Sequence, residues 1–218
     1  MSKMYTFSGM DGAGKTTYIH ETCEYLAKNG YKSRIVWSRG GYTAVFEWLK
    51  RIARKTAGKN MPPSGHSQQR SELLTGSKIG SMWYILAVLD LIRLYSVHFR
   101  LCALSKKVLL CDRYLYDTYV DFAIAFGAKK IDNSKLWRFL VKTARTPERS
   151  FLLFVTAEES YVRSVANNDP FCETYAQKVV RCDYYTALKN RGCWDVICDT
   201  VTNSIENVCN LLRHEIKL

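Results

Sequence analysis

Apolar residues form short runs along this chain, and longer segments of helical periodicity separate them. Three runs, Met4 to Ser8, Ser33 to Trp37 and Val108 to Asp112, predict strands. Ser150 to Val155 and Trp194 to Cys198 predict two more. Because strands that alternate with helices are typical of a parallel sheet with right-handed crossovers, we expect an α/β fold.

The segments between the strands have apolar positions at the three- and four-residue spacing of helices. The predicted helices are Thr16 to Lys28, Ala44 to Thr56, Met82 to Leu104, Tyr116 to Phe126, Ser134 to Ala144, Phe171 to Leu188 and Asn203 to Ile216, with another opening at Ala157. Ala57 to Gln69 is polar, contains Gly and Pro, and predicts a loop. No internal repeat interrupts the pattern, so we expect one domain over residues 1–218.

Size and composition are those of a globular protein with a sizeable core: 218 residues, of which 47% are hydrophobic. The longest apolar candidate, Met82 to Leu104, contains Asp90, two arginines and a histidine, so we expect no membrane span. Met1-Ser2-Lys3 leads directly into the first strand, and no signal peptide is expected. The eight cysteines include no C-x-x-C pair, which favours a reducing cytosol over a metal site.

The formal net charge is +12, which suits either nucleic acid or phosphate-rich small substrates. The basic residues are spread along the chain, with no run of five, and no motif for binding RNA or DNA is present. We therefore interpret the charge as a diffuse basic surface. Nucleic-acid binding stays an alternative that rests on charge alone, and it predicts binding that collapses with salt and ignores ATP.

The stretch from Gly9 to Thr16 fits the phosphate-binding pattern G-x-x-x-x-G-K-[ST], between a predicted strand and a predicted helix. Glycines let such a loop curl so that successive N–H groups point at one anion, and the helix adds its positive end. Lys15 can reach the β- and γ-phosphates, and the Thr16 hydroxyl can bind Mg²⁺. We expect a nucleoside triphosphate to bind Gly9, Met10, Asp11, Gly12, Ala13, Gly14, Lys15, Thr16 and Thr17.

Two further polar segments follow predicted strands, at the edge where ligands of open α/β sheets bind. Arg39, beside Gly40 and Gly41, can hold a second anion, although it could also be a surface arginine in a turn. Asp112 ends the third strand and can orient Mg²⁺-bound water or an acceptor, and Arg113 can bridge two phosphoryl groups. The alternative is an Asp–Arg pair that caps the next helix.

Four motifs in this order resemble the thymidylate kinase family of nucleoside monophosphate kinases. They are Gly9 to Thr17, the segment Arg39-Gly40-Gly41-Tyr42-Thr43, the triplet Asp112-Arg113-Tyr114, and Val155 to Arg163. The ending, Asp199 to Val208, is also similar to the last strand-helix turn of the family. The phosphate loop alone is shared by many ATPases, whereas the triplet combined with the R-G-G-x-T segment is far more specific.

The resemblance implies a P-loop three-layer α/β/α fold with a five-stranded parallel sheet in the order 2-3-1-4-5. It implies transfer of the γ-phosphoryl of ATP to a nucleoside monophosphate, dTMP or a related nucleotide, with Mg²⁺, in a homodimeric cytoplasmic enzyme. The implied catalytic residues are Lys15, Asp11, Asp112, Arg113 and Arg163, with Thr16 and Asp112 at the metal. Arg39, Gly40, Arg113 and Tyr114 are implied for the acceptor, and Arg163 begins a short lid around residues 163–173 that excludes water.

This chain departs from the family mostly where the base is read. Aligned on Asp90, the stacking phenylalanine and the base-reading arginine of the family are replaced by Ala87 and Leu91. Arg93 could substitute only in another helix register. After Tyr114 the family's serine and A-Y-Q-like segment are replaced by Leu115 to Phe122. With Ala13 in the loop, Arg163 is the main candidate for a transition-state cation.

Two alternatives to a nucleoside monophosphate kinase stay open. One is a nucleotide-binding regulator with little kinase activity, against which the Asp112-Arg113 pair argues, because a simple switch has little need for an acceptor-phosphate clamp. The other is a kinase for a non-nucleotide acceptor.

Overall fold

A computed structural model of the chain describes residues 2–38, 78–167 and 172–216. Five strands form one parallel sheet: β1 (Met4–Ser8), β2 (Ser33–Trp37), β3 (Val108–Asp112), β4 (Arg149–Phe154) and β5 (Val196–Asp199). The strand order is β2-β3-β1-β4-β5. The expected α/β fold of the P-loop type, with the sheet order 2-3-1-4-5, is confirmed.

The helices of the described residues follow the strands in the expected alternation. They are α1 (Lys15–Lys28), α2 (Lys78–Ile92), α3 (Phe99–Cys102), α4 (Leu115–Phe126), α5 (Ala128–Asp132), α6 (Lys135–Thr143), α7 (Ala157–Ala166), α8 (Tyr175–Asn190) and α9 (Ile205–Glu215). A π-helical segment, Arg93–His98, joins α2 to α3. The helix predicted at Ala44 to Thr56 and the loop predicted at Ala57 to Gln69 lie outside the described residues.

Two predicted helices differ from those of the structure, and one short helix was not predicted. Met82 to Leu104 was expected to be one helix, but it contains the π-helical segment and ends at Cys102. The short helix α5 was not predicted. The helix expected from Phe171 begins at Tyr175, because Thr174 and Gln177 form a capping box that fixes the first turn.

The chain divides into two compact units. The first comprises the described residues of Met1–Trp37, Cys102–Asp117 and Thr146–Leu218, and it holds the whole sheet. The second comprises the described residues of Ser38–Leu101 and Thr118–Arg145, and it is helical. The expectation of a single kinase domain over residues 1–218 stays a prediction.

Each unit has its own aromatic core. In the first unit the rings of Phe7 and Phe151 stack between neighbouring strands, with centroids 5.2 Å apart. In the second unit Tyr84 packs edge to face on Phe122, and Phe122 lies tilted against Trp137. Among the helices of the described residues, none is both long and apolar enough to cross a bilayer.

The sheet aligns the carboxyl ends of its central strands. Phe7 of β1 pairs with Asp112 of β3, and Ser8 pairs with Leu152 of β4. The turns that follow β1 and β3 therefore begin side by side, and they carry the phosphate loop and Arg113 respectively. This register brings residues about a hundred positions apart to one edge of the sheet.

Candidate active site

The phosphate loop, Gly9–Thr16, follows β1 and leads into α1. Gly9 and Gly12 have φ angles of 148° and 82°, in the region that favours glycine. Contact requires glycine as well: a Cβ on Gly9 would collide with the carbonyl oxygen of Leu153, and one on Gly12 would lie 3.0 Å from that of Ser160. The loop is thus packed closely against β4 and α7, which fixes the direction of its N–H groups.

Lys15 is folded back onto this loop. Its Nζ donates to the carbonyl oxygens of Gly9 at 3.0 Å and Met10 at 2.8 Å, and it lies 3.9 Å from the Asp11 carboxylate. Burial, aided by the charge of Arg113, lowers the pKa of Lys15 to about 8, against the opposing effect of Asp11. A buried ammonium held by carbonyl oxygens gains most from an incoming anion, as phosphate binding requires.

Arg113 lies on the other side of Asp11. Its Nη2 donates to the Asp11 carboxylate, and only 5% of the Arg113 side chain is exposed, against 43% for Asp11. Asp11 lies between two cations, Lys15 and Arg113, at the carboxyl ends of the central strands.

The backbone of Arg113 is strained. Its φ angle of 72° is the only positive value for a non-glycine residue in the described part of the chain. Such a conformation costs about 1–3 kcal/mol and persists only where the surroundings hold it. The Arg113 N–H bonds to the carbonyl oxygen of Phe7 at 2.9 Å, which ties the turn to β1.

Asp112 and Thr16 are the side chains predicted for Mg²⁺. Asp112 Oδ1 is buried and has no hydrogen-bond partner among the described residues, and burial raises the pKa of the carboxyl while Lys15 and Arg113 oppose this. The Thr16 side chain is exposed at the start of α1. These oxygens suit Mg²⁺, which prefers one or two protein ligands together with phosphates and water. The described residues contain no cluster of three acidic, His or Cys ligands, so a cage made of protein alone is absent there.

The predicted transition-state cation, Arg163, is bound within the first unit. Its guanidinium donates to Glu159 at 2.7 Å, to the carbonyl oxygen of Gly12 at 3.3 Å, and to that of Thr200 at 3.0 Å. In this arrangement Arg163 supports the phosphate loop from α7. Of the rest of the predicted lid, residues 168–171 lie outside the described residues.

The remaining predicted residues of the acceptor site and of the phosphate loop differ in burial, and two of them lie outside the described residues. Tyr114 is placed beside Arg113 and its ring is buried, with 4% exposed. Arg39 and Gly40 lie outside the described residues. Met10 and Ala13 are buried in the phosphate loop, whereas Thr17 is exposed on α1.

Sequence analysis missed Asp117, in the first turn of α4. Its Oδ2 accepts from the Ser8 hydroxyl at 2.6 Å and from the Tyr114 N–H at 3.0 Å. Its Oδ1 accepts from the Gly9 N–H at 3.0 Å and from the Tyr185 hydroxyl at 2.6 Å. Its position could have indicated a special role, because Asp117 lies in the segment Leu115 to Phe122, where the chain departs from the resembled family.

A second missed feature is the polar stripe of α8, formed by Lys178, Arg181 and Tyr185, all nearly fully buried. Lys178 donates to the hydroxyls of Ser160 and Ser164 at 2.9 Å, and Ser160 donates to the Asp11 carbonyl oxygen at 2.6 Å. Arg181 forms a buried ion pair with Glu173, with N–O distances of 2.6 to 3.2 Å. The spacing of three and four residues places the three side chains on one helix face.

The positions aligned with the family's base-reading residues lie in the second unit. Ala87 and Leu91 are buried, with 3% and 0% exposed. Arg93, half-exposed, donates through Nε and Nη2 to Asp90 at 3.1 and 3.0 Å. Neither buried side chain can donate a hydrogen bond to a base.

No family model matches the chain, but two curated relatives and a solved structure are similar to it. Thymidylate kinase of Ehrlichia chaffeensis is 26% identical over 198 residues, covering 89% of this chain and 87% of the relative. Thymidylate kinase of Ehrlichia canis is 25% identical over 210 residues, covering 94% and 90%. A crystal structure of the E. chaffeensis thymidylate kinase matches with a TM-score of 0.52 at 20% identity, covering 97% of this chain and 95% of that one, which bears on the fold.

Proposed function

We propose, from the premise that the chain belongs to the thymidylate kinase family, that it transfers the γ-phosphoryl of ATP to a nucleoside monophosphate, dTMP or a related nucleotide. The observation that carries the proposal is the position of Asp11 between Lys15 of the phosphate loop and Arg113 at the end of β3. A nucleotide switch needs the first cation only. A phosphotransferase also needs the second, because the acceptor is itself an anion.

Phosphoryl transfer depends on positioning and on neutralising charge, and the named residues divide that work. The N–H groups of the phosphate loop and Lys15 hold the phosphates of ATP. Arg113 leaves Asp11 and binds the acceptor phosphate, and Arg39, Gly40 and Tyr114 complete the acceptor site. Asp11, released by Arg113, keeps its contact with Lys15 and stays between the donor and acceptor sites.

Thr16 and Asp112 would hold Mg²⁺, which neutralises phosphate charge when bound. Arg163 stays the proposed transition-state cation, and reaching the γ-phosphate requires it to exchange its present bonds to Glu159, Gly12 and Thr200. Closure of the lid around residues 163–173 would exclude water, the competing acceptor.

A second candidate within the same chemistry is a kinase whose acceptor is not thymidylate. The observation that favours it is the burial of Ala87 and Leu91, which replace the family's stacking and base-reading side chains. The acceptor is then another nucleoside monophosphate or a non-nucleotide phosphate compound. The alternative, a nucleotide-binding regulator with little kinase activity, is excluded if any acceptor is phosphorylated.

A screen with ATP and Mg²⁺ against every common ribo- and deoxyribonucleoside monophosphate tests the proposal. ADP and the phosphorylated product are measured together, with a reaction that lacks acceptor as the background. We expect at least one acceptor to yield product with a matching amount of ADP. ADP formation at the background rate with all acceptors would contradict the proposal and support the regulator.

We also propose that the protein acts in the cytoplasm as a homodimer, with an apolar stripe of the second unit as its contact. Met82, Ile85, Leu89, Val97 and Leu101 are 48 to 59% exposed and share one face of α2, the π-helical segment and α3. The π-helical segment inserts one residue, so the eight residues from Leu89 to Val97 advance about two turns and keep the stripe straight. A two-fold interface uses the same patch on both copies, so this stripe can pack against that of a second copy.

The stripe gives the homodimer its own test. Leu89→Lys should shift the mass measured by light scattering from two chains to one, because it places a charge in the buried contact. Ile124→Lys, at an exposed apolar position of α4, is the matched control and should stay dimeric. A wild-type protein that is monomeric at micromolar concentration would contradict the dimer.

A further inference from the structure

Asp117 has no role in the transfer described above, yet its carboxylate joins three parts of the first unit. Each of its oxygens accepts two hydrogen bonds, and the residue is 1% exposed. The donors belong to the start of the phosphate loop, to the turn after Arg113, and to α8. A buried carboxylate with four donors is a rigid connection, since bonds to charged acceptors are the strong ones.

Tyr185 provides the connection to α8. Burial, with the charge of Asp117, raises the pKa of Tyr185 well above its usual value, so the phenol keeps its proton and donates. Its ring stacks on Trp194, with centroids 6.0 Å apart and planes inclined by 21°. The direction of the hydroxyl is therefore set by packing as well as by the hydrogen bond.

The same carboxylate reaches Arg113 in two ways. Its bond to the Tyr114 N–H fixes the peptide that follows the strained Arg113 backbone. Its Oδ1 also lies 4.0 Å from Arg113 Nη1. Asp117 and Asp11 thus flank one guanidinium, which is what sets its direction at the end of β3.

We propose that Asp117 and Tyr185 are positioning residues that act together. They hold Gly9 at the start of the phosphate loop and the guanidinium of Arg113 in the arrangement that phosphoryl transfer requires. The inference rests on the proposed function, because Arg113 is assigned there to the acceptor phosphate. Asp117 and Tyr185 act through Gly9 and Arg113 and are not catalytic themselves.

Substitutions that keep side-chain size test this inference. Tyr185→Phe removes one hydrogen bond to a carboxylate, and kcat/KM for the acceptor at saturating ATP should fall about 10-fold. Asp117→Asn removes the charge and sets an amide N–H₂ against the two donors of one carboxylate oxygen, so the loss should be about 100-fold or more. Tyr184→Phe, at the residue before Tyr185 on α8 and only half-buried, is the matched control and should leave the rate unchanged.

The decisive readout is the effect of Tyr185→Phe in an Arg113→Ala background. A positioning role predicts that less than about a twofold further loss remains, because the Arg113 guanidinium is gone and saturating ATP offsets the weaker binding that acts through Gly9. A merely structural role predicts the same 10-fold loss in both backgrounds, and that result would overturn the inference. Urea unfolding of each variant identifies those that are folded at the assay temperature. If Asp117→Asn is unfolded there, the result for Tyr185→Phe alone decides the inference.

ATP binding separates this inference from the proposed function. If the wild-type protein phosphorylates no acceptor, the proposed function fails, but calorimetry with ATP and Mg²⁺ still decides the inference. Because Gly9 shares the carboxylate with Tyr185, Tyr185→Phe should weaken ATP binding about threefold relative to Tyr184→Phe. Equal ATP affinities in these two variants, with equal acceptor kinetics where transfer occurs, would overturn it.

Discussion

Arg113 donates to the carboxylate of Asp11, 102 positions earlier in the chain. The pair joins the turn after β3 to the phosphate loop, and it supports the proposal that the acceptor anion binds Arg113 beside the triphosphate. The partnership also has a cost for substrate binding, because an acceptor phosphate must compete with Asp11 for the guanidinium.

Arg113→Ala should reduce use of the acceptor far more than binding of ATP. A charge-assisted bond to phosphate is lost, so kcat/KM for the acceptor should fall about 100-fold while the Kd for ATP changes less than about threefold. Steady-state kinetics and calorimetry measure the two effects. Arg191→Ala, at the exposed end of α8, is the control. Arg39→Ala should behave like Arg113→Ala, and an equal loss of ATP affinity in either would contradict the assignment.

Lys15→Ala should abolish transfer and leave the fold intact. Lys15 supplies positive charge where the transferring group becomes more anionic, so the rate should fall 100-fold or more, about 3 kcal/mol of transition-state stabilisation. Turnover measured together with the far-UV spectrum checks this, with the exposed Lys28→Ala as the control. Near-normal turnover with a normal spectrum would refute this site.

The lowered pKa of Lys15 makes ATP binding pH-dependent. Without nucleotide the ammonium loses its proton near pH 8 rather than near 10.5. Bound phosphate favours the charged form, so binding takes up a proton above pH 8, and affinity falls as the pH rises from about 8 towards 10.5. Well below pH 8 Lys15 is already charged in the free protein, so ATP binding takes up no proton there.

Calorimetry at pH 9 in two buffers with different ionisation enthalpies counts this proton. Close to one proton should be taken up per ATP by the wild-type protein and by Lys28→Ala, and the uptake should be absent at pH 6.5, about 1.5 units below the pKa. Lys15→Ala should show none at either pH. A wild-type protein that binds ATP at pH 9 without proton uptake would show that Lys15 is uncharged in the complex or ordinary in the free protein.

The buried apolar residues Ala87 and Leu91 predict weak discrimination among acceptors. A site that hydrogen-bonds its substrate can discriminate by about 10⁴-fold, whereas apolar contacts give about 10–200-fold. We expect dTMP to be used poorly or with little preference. The ratios of kcat/KM for dTMP to those for dUMP, dCMP, dGMP and dAMP provide the test. A preference above about 10³-fold would mean that other residues read thymine.

The sheet could be predicted from the sequence because its strands are short apolar runs with sharp ends. β1, β2 and β3 have the predicted bounds, whereas β4 and β5 are displaced by one or two residues. The phosphate loop was equally predictable, since its glycines and Lys15 are adjacent in sequence. In both cases the determining pattern is local.

The features that escaped prediction depend on distant partners. Asp117 lies in the helix predicted from Tyr116 to Phe126, and only the fold brings Ser8 and Tyr185 to its carboxylate. The strained φ angle of Arg113 is held by its neighbours and has no sequence pattern. The π-helical segment Arg93–His98 likewise leaves the apolar spacing of a helix nearly unchanged, which is why one continuous helix was expected.

The most direct test of the central claim follows the γ-phosphoryl of isotopically labelled ATP in the presence of Mg²⁺ and the best acceptor from the screen. The account predicts that label appears on the acceptor in a one-to-one ratio with ADP, and that Lys15→Ala abolishes both products. Label recovered only as inorganic phosphate, or no ADP with any acceptor, would contradict it.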